Sequence, residues 1–213
     1  MLKRLFTALM GVVLALPVAA QYNSGSFEAN EASIYYGVRM GVGSNWLSGG
    51  GNSSSLAGMN LGGVLGMRVV KSEAVFLESG LYYTQRGGKD GDYTMNLKYL
   101  EVPIVIKYGV KATDDIALLP FIGPYFSWGI GGKYEYPNQV TDEATGAVLR
   151  IETADRSSYD LVNHGDMGLK IGCGAEYDML YLEVGAQIGI ANIADGNGSI
   201  HSNAIFANFG INF

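Results

Sequence analysis

From Tyr99 to Tyr108 the chain reads Y-L-E-V-P-I-V-I-K-Y. Leu100, Val102, Ile104, Ile106 and Tyr108 make up one alternate series, apolar throughout. Tyr99, Glu101, Pro103, Val105 and Lys107 make up the other. A β-strand sends successive side chains to opposite faces, so one face here is apolar while the other carries a carboxylate and an ammonium. Turn signals cut the chain into eight stretches of this kind. They predict strands over about 34–45, 60–70, 74–87, 94–109, 116–132, 165–177, 180–191 and 203–213. The fifth contains Pro120 and Pro124, each of which removes a ladder donor. No 3.6-residue helical period survives beyond residue 20, and no repeat of 20–50 residues occurs.

The two parities differ in kind. One collects Tyr36, Val38, Met40 and Val42, then Leu61, Leu65, Met67 and Val69, then Val75, Leu77, Leu81 and Tyr83. It continues through Met167, Leu169, Ile171, Cys173 and Tyr177, and through Leu180, Leu182, Val184, Ile188 and Ile190. It ends on Ile205, Ala207, Phe209, Ile211 and Phe213, without a single charge. The opposite parity collects Arg39, Arg68, Glu78, Arg86, Glu101, Lys107, Asp166, Lys170, Glu176 and Glu183, five cations and five anions. A solvated face has no need of that balance. An enclosed one does, because an unpaired buried charge is costly. Glycines crowd the same parity (Gly37, Gly41, Gly43, Gly80, Gly123, Gly172, Gly174, Gly185, Gly189) and leave room for long side chains from neighbouring strands.

Connections alternate in length. Lys71–Glu73, Lys111–Asp115 and Asp178–Met179 are short, whereas Trp46–Met59, Gly88–Tyr93, Lys133–His164 and Asn192–Ser202 are longer. Tyr36, Tyr108, Tyr177 and Phe213 cluster near the short-turn rim on the apolar parity; Trp46, Tyr83 and Trp128 do so near the long-loop rim. Aromatic girdles around an aliphatic band are what a membrane barrel presents to its two interfaces. The expectation is therefore all-β: an eight-stranded antiparallel transmembrane up-and-down β-barrel in the cell outer membrane. Short turns would be periplasmic and long loops outside, and the ten charges would fill the lumen as an ion-pair network. A soluble lipocalin-like barrel also has eight strands, so strand count alone does not separate the two.

Composition sharpens the picture. Lys3 and Arg4, an apolar stretch Leu5–Leu16 and Val18-Ala19-Ala20 make residues 1–20 a secretory signal peptide. Its apolar run is shorter than the roughly 20 residues of a spanning helix. Residues 21–213 are then the barrel domain, with a short lead at 21–33 and a long outer loop at 133–164. The formal charge is −6 and becomes more negative without Lys3 and Arg4, which argues against nucleic acid as a partner. The single cysteine, Cys173, excludes an internal disulfide.

The stretch Tyr99–Tyr108 also resembles the "YLEIPLLLKY" signature of the PorT-type outer-membrane β-barrel family of Bacteroidota. Gly123-Pro124-Tyr125 with Gly129–Lys133 is similar to that family's fifth strand. Asp166-Met167-Gly168 leading into Gly172-Cys173-Gly174-Ala175-Glu176-Tyr177 resembles its sixth, and Gly189-Ile190-Ala191-Asn192-Ile193 the end of its seventh. The resemblance implies a fold and a location more than an activity. Through the member that names the family, it also implies a place as an accessory of a protein secretion assembly. Phe213 resembles the terminal aromatic that outer-membrane barrels present to their assembly machinery.

Candidate chemistry is sparse. His164 has Asp166 two residues on, and Ser199 and Ser202 flank His201, which leaves open a rim-site hydrolase acting on lipid or peptide. Asp195–Ser199 lacks the glycine and the later glutamate of a calcium loop, and Gly129–Lys133 is followed by Tyr134 where a phosphate loop needs Ser or Thr. No cofactor or metal is called for. Lys133–His164 is too long for a mere connection. It could form a hairpin continuing the fifth strand, with Lys133, Tyr134, Tyr136, Arg150 and Arg156 as a partner-binding surface. Its cations could meet lipopolysaccharide phosphates beside the surrounding outer-membrane lipid. The leading expectation is a non-enzymatic barrel with a structural or surface-interaction role.

Overall fold

The computed structural model describes residues 34–49, 53–70, 72–141, 148–196 and 198–213. The expected leader at 1–20 and the expected lead at 21–33 lie outside the described residues, as do residues 142–147. Ten strands follow in chain order. They are β1 (Ile34–Ser48), β2 (Leu56–Val70), β3 (Val75–Asp90), β4 (Tyr93–Tyr108), β5 (Val110–Lys111), β6 (Ile116–Thr141), β7 (Val148–Ser157), β8 (Gly165–Tyr177), β9 (Leu180–Gly189) and β10 (His201–Asn212). A single 3₁₀ turn, Ser158–Asp160, lies between β7 and β8.

Eight of these close a ring in the order β1-β2-β3-β4-β6-β8-β9-β10, every pair antiparallel, with β10 returning to β1. β5 and β7 lie outside it, each paired to one end of β6. Closure follows from the pattern. Hydrocarbon offers no partner for a free N–H or C=O, so a sheet can cross a membrane only when no edge is left. The alternation then sorts the side chains. Val42, Leu61, Leu81, Ile104, Ile122, Ile171, Val184 and Ile205 are exposed around the whole circumference, while Arg39, Glu101 and Lys107 are almost fully buried. An apolar belt of that extent would be a liability in water; against lipid it is the favourable solution. Tyr36 stacks on Phe213 at 5.5 Å near the short-turn rim, and Trp128 projects from the other at 64% exposure.

One connection departs from the sequence expectation, and the fifth strand with its prolines takes a specific form. Gly88–Tyr93 is not a long loop: β3 and β4 stay paired out to Asp90↔Tyr93, joined by a two-residue turn whose Gly91 has φ of 57°. Backbone with positive φ suits glycine, and the hairpin therefore stands above the wall. The fifth predicted strand does not end at 132. It runs on to Thr141 as β6 and pairs with β7, which is the hairpin continuation expected within the 133–164 segment. The prolines are accommodated at a lapse in pairing. The β4–β6 ladder skips from Pro103↔Tyr125 to Ile106↔Ile122, where Pro103 and Pro124 stand near each other, and β3–β4 skips beside Pro103 too. Ser79 Oγ donates to the Pro103 carbonyl at 2.8 Å, and β6 keeps its ladder to β8 through Pro120↔Cys173 and Pro124↔Leu169.

Val102, exposed on the outer face of β4, provides the test. Val102→Arg should destabilise the barrel by about 2–4 kcal/mol in urea unfolding from lipid, and Tyr108→Arg, in the girdle, by clearly less. Equal costs at the two sites would mean that this face does not meet hydrocarbon.

Candidate functional site

The lumen is packed from rim to rim by side chains of one parity, in three tiers. Nearest the short turns, Lys107 Nζ lies 2.8 Å from Glu78 Oε2 and Arg39 Nη2 lies 3.7 Å from the same oxygen. Tyr35 donates its hydroxyl to that carboxylate at 2.7 Å, and Lys107 donates to Tyr181 Oη at 2.8 Å. The Arg39 guanidinium sits 4.0 Å over the Tyr181 ring. Asn212 accepts from Arg39 and donates to Glu176, so Glu176 joins the network through an amide. In the middle tier Lys170 Nζ is 3.7 Å from Glu183 and lies against the rings of Tyr82, Phe206 and Phe121, while Asn208 donates to Glu183 at 2.6 Å. In the upper tier Arg86 bridges Glu101 and Asp166, the second contact at 2.7 Å. Gln187 donates to the other Glu101 oxygen at 2.6 Å.

Close approach to glycine makes this packing possible. The rings of Tyr35, Tyr82, Tyr125 and Tyr181 lie over Gly66, Gly62, Gly168 and Gly174, where a Cβ would collide with them. Arg68 alone of the ten predicted charges is only half-buried; it reaches the short-turn rim, where its Nε donates to the Glu73 carbonyl. Sequence reasoning collected charges and passed over Tyr35, Tyr99, Tyr125, Tyr181, Gln187, Asn208 and Asn212. All share the charged parity, and that parity was the signal that could have found them.

At the long-loop rim the lumen is capped. Leu97, Tyr99, Val162 and Ile193 form a buried apolar cluster, with Leu47, Met95, Tyr159, Leu161 and Ile200 packed against it. The 3₁₀ turn pins the cap: Ser157 Oγ accepts from the Tyr159 N–H, Ser158 donates to the Asn96 carbonyl and Tyr159 to the Lys98 carbonyl. Burial pushes the Tyr159 phenol up to about 12, which keeps it a donor. The 133–164 segment is therefore an extension that turns back to close the barrel's mouth.

Above the cap lies a cleft of about 350 Å³ with Leu47, Tyr93, Met95, Tyr134 and Ile200 in its lining. A register shift in β6, opposite Lys98 and Tyr99 of β4, changes which residues of β6 face the mouth. Tyr134 stacks between Tyr93 (6.1 Å) and Tyr136 (5.9 Å), with Arg156 5.5 Å over its ring. Lys133 instead pairs with Asp155 at 3.0 Å, and that hydrogen bond holds its ammonium above the ordinary lysine value. The backbone of Arg150 pairs with Val140, but its side chain lies outside what is described.

The two histidines part company. His164 stacks on Tyr159 at 4.4 Å and beside Trp128 at 5.9 Å, while Asp166 belongs to Arg86, so the suggested His164–Asp166 pair does not form. His201 meets Ser199: Oγ to Nε2 is 2.8 Å, and Nδ1 is 2.9 Å from the Ala191 carbonyl. Ser202 is buried and takes no part. Among the described residues no cluster of metal-ligating side chains occurs. Gly129–Lys133 lies within β6, as strand.

A closed antiparallel barrel with an apolar outer belt, aromatic girdles and a charge-paired interior defines a membrane-spanning protein of the outer membrane. The chain belongs to the outer membrane protein beta-barrel domain family, whose profile matches residues 19–195. It is similar in structure to the attachment invasion locus protein Ail of Yersinia pestis, solved with the heparin analogue sucrose octasulfate. That match has 12% identity, 84% of this chain, 99% of that chain and a TM-score of 0.43. It is similar to Neisserial surface protein A (14%, 84% and 97%, TM-score 0.49). A third likeness is to a major outer membrane protein of Thermus thermophilus (11%, 85% and 100%, TM-score 0.44). No curated protein matches the sequence.

Arg86 serves two carboxylates, which orders the expected mutant costs. Arg86→Met strands Glu101 and Asp166 together and should cost roughly 3–5 kcal/mol in urea unfolding from lipid. Glu101→Gln leaves Arg86 its Asp166 partner and should cost less, with a coupling term in the double mutant. A larger cost for Glu101→Gln than for Arg86→Met would contradict this arrangement.

Proposed function

We propose that the protein is an outer-membrane surface barrel with a structural and interactive role, which the β6–β7 extension exerts without catalysis. The observation that carries this reading is the filled and capped lumen. With Arg86, Glu101 and Asp166 locked across the bore and Leu97, Tyr99, Val162 and Ile193 above them, little is left for conduction. What the chain offers its surroundings is the row Tyr93–Tyr134–Tyr136 with Arg156, on strands that rise past the wall. Aromatic residues and arginine are the residue types that dominate binding hot spots.

In this reading the short turns are periplasmic and the extension is outside, in contact with lipopolysaccharide or a surface protein. Phe213, stacked on Tyr36 at the short-turn end, is in this reading the aromatic that the assembly machinery would meet. The strand-four sequence supports a place in the PorT-type branch of Bacteroidota, and with it an accessory position in a secretion assembly as one form the surface role could take.

Orientation comes first in the test. Thr153→Cys and Asp114→Cys, each in a Cys173→Ser background, would be exposed to an impermeant thiol reagent on intact cells. Thr153→Cys should label and Asp114→Cys should not; the reverse inverts the barrel. A photo-crosslinker placed at Tyr136 should then capture a specific protein or lipopolysaccharide adduct in living cells. Capture only from sites on the periplasmic turns would move the interaction to the other side.

A further inference from the structure

The outer face of the barrel holds a polar group where an apolar surface ends. Along β10 the outward residues run Phe209, Ala207, Ile205, then Asn203 and His201. On the flanking strands Trp46 pairs with Asn203 and Ser48 with His201, while Ile188 pairs with Asn203 from β9. Ile190, two residues beyond Ile188, is 61% exposed. His201 therefore stands just above the lipid belt, between a girdle tryptophan and an exposed isoleucine. This is the height at which lipid chains join their headgroups.

At that height the geometry is that of a nucleophile and its base. His201 Nδ1 is 2.9 Å from the Ala191 carbonyl, an acceptor only, so this nitrogen carries the proton and Nε2 is left as the acceptor. Ser199 Oγ, 2.8 Å from Nε2, donates to it. The loop holding them is framed by Asn192, whose amide donates to Gly198 O and whose oxygen accepts from the Ala194 and Ile200 N–H groups. A hydroxyl within reach of a base, the base itself oriented by a third group, is the arrangement of an activated nucleophile.

We propose that Ser199 and His201 hydrolyse a carboxylic ester of a membrane lipid in the adjoining leaflet. This activity goes beyond the surface-interaction reading and is independent of its partner. Ser199 Oγ attacks the ester carbonyl carbon while Nε2 takes the hydroxyl proton, giving a tetrahedral intermediate. Asn203 Nδ2 donates to Ser48 Oγ at 2.9 Å and to the His201 carbonyl at 3.4 Å, and would have to leave the longer of these contacts to donate to the intermediate's oxygen. Collapse breaks the bond to the alcohol oxygen, which leaves with the proton from the imidazolium. Water then gives a proton to Nε2 and attacks the acyl-serine; the Oγ–carbonyl bond breaks, the proton returns to Oγ, and the fatty acid departs. Phospholipids and acylated lipopolysaccharide share this ester chemistry.

The test uses the purified mature protein, folded in detergent and in vesicles, with folding checked by heat-modifiable migration on gels. A fluorophosphonate reagent should form an adduct at Ser199. Ser199→Ala should abolish the adduct and His201→Gln should slow it by about 100-fold or more, both variants remaining heat-modifiable. Vesicles of phosphatidylethanolamine and, separately, of purified lipopolysaccharide would be assayed for fatty-acid release sensitive to Ser199→Ala. Release from either or both supports the proposal and names the source. Absence of a Ser199 adduct on the folded protein, or an adduct rate indifferent to His201→Gln, overturns the dyad. An adduct with no release from either lipid overturns the substrate class.

Discussion

The constraint on which everything else depends is that a sheet in hydrocarbon cannot have an edge. Eight strands satisfy it by returning β10 to β1, and that closure dictates the side-chain problem that follows. A ring this small has an interior of side-chain width, shut off from both water and lipid. Charges inside must find one another, and they do so in tiers: Glu78 with Arg39 and Lys107, Glu183 with Lys170, and Arg86 with Glu101 and Asp166. Large rings must also be stored somewhere, and glycines on neighbouring strands provide the space, as at Gly66 beneath Tyr35. The apolar belt outside and the ion pairs inside are two consequences of one closed ladder.

Much of this was legible in the chain because strand periodicity is two and closure leaves only two environments. The residue sets Val38–Met40–Val42 and Arg39–Glu101–Lys107 could be assigned before any geometry was known. Pairing partners could not. Glu101 finds Arg86 because register brings Tyr82 opposite Glu101 and Arg86 opposite Leu97, a matter of hydrogen-bond offset that parity does not encode. Of the two long hairpins, the β6–β7 one was legible as a continuation of the fifth strand and the β3–β4 one was not. Gly88–Tyr93 carries the glycines of a loop, yet its ends remain in register; Tyr134 and Tyr136 were legible as candidates, but the stacking of Tyr134 on Tyr93 across the two hairpins was not, because it depends on the register shift in β6. The meeting of Ser199 with His201 was suggested by spacing, whereas His164 and Asp166, equally close in sequence, were separated by the pull of Arg86 on the carboxylate.

The rim shows how one segment can serve two ends. Its descending part, from Ser157 to Val162, closes the mouth with Tyr159 and Val162, while its ascending part carries an aromatic row away from the membrane. Cap and extension are joined through β6, whose lower half is barrel wall and whose upper half is hairpin. A ligand pressing on the tyrosines would thus push on a rod anchored in the bilayer.

The seam between β1 and β10 has a bearing on time. Arg39 is among the earliest buried charges in the chain, and Asn212, which accepts its hydrogen bond, stands 173 positions later. Until the last strand has been delivered, the first one carries a guanidinium with an unfinished shell and an open row of amides. The contact that finishes the ring therefore also completes the shell of the first strand's arginine.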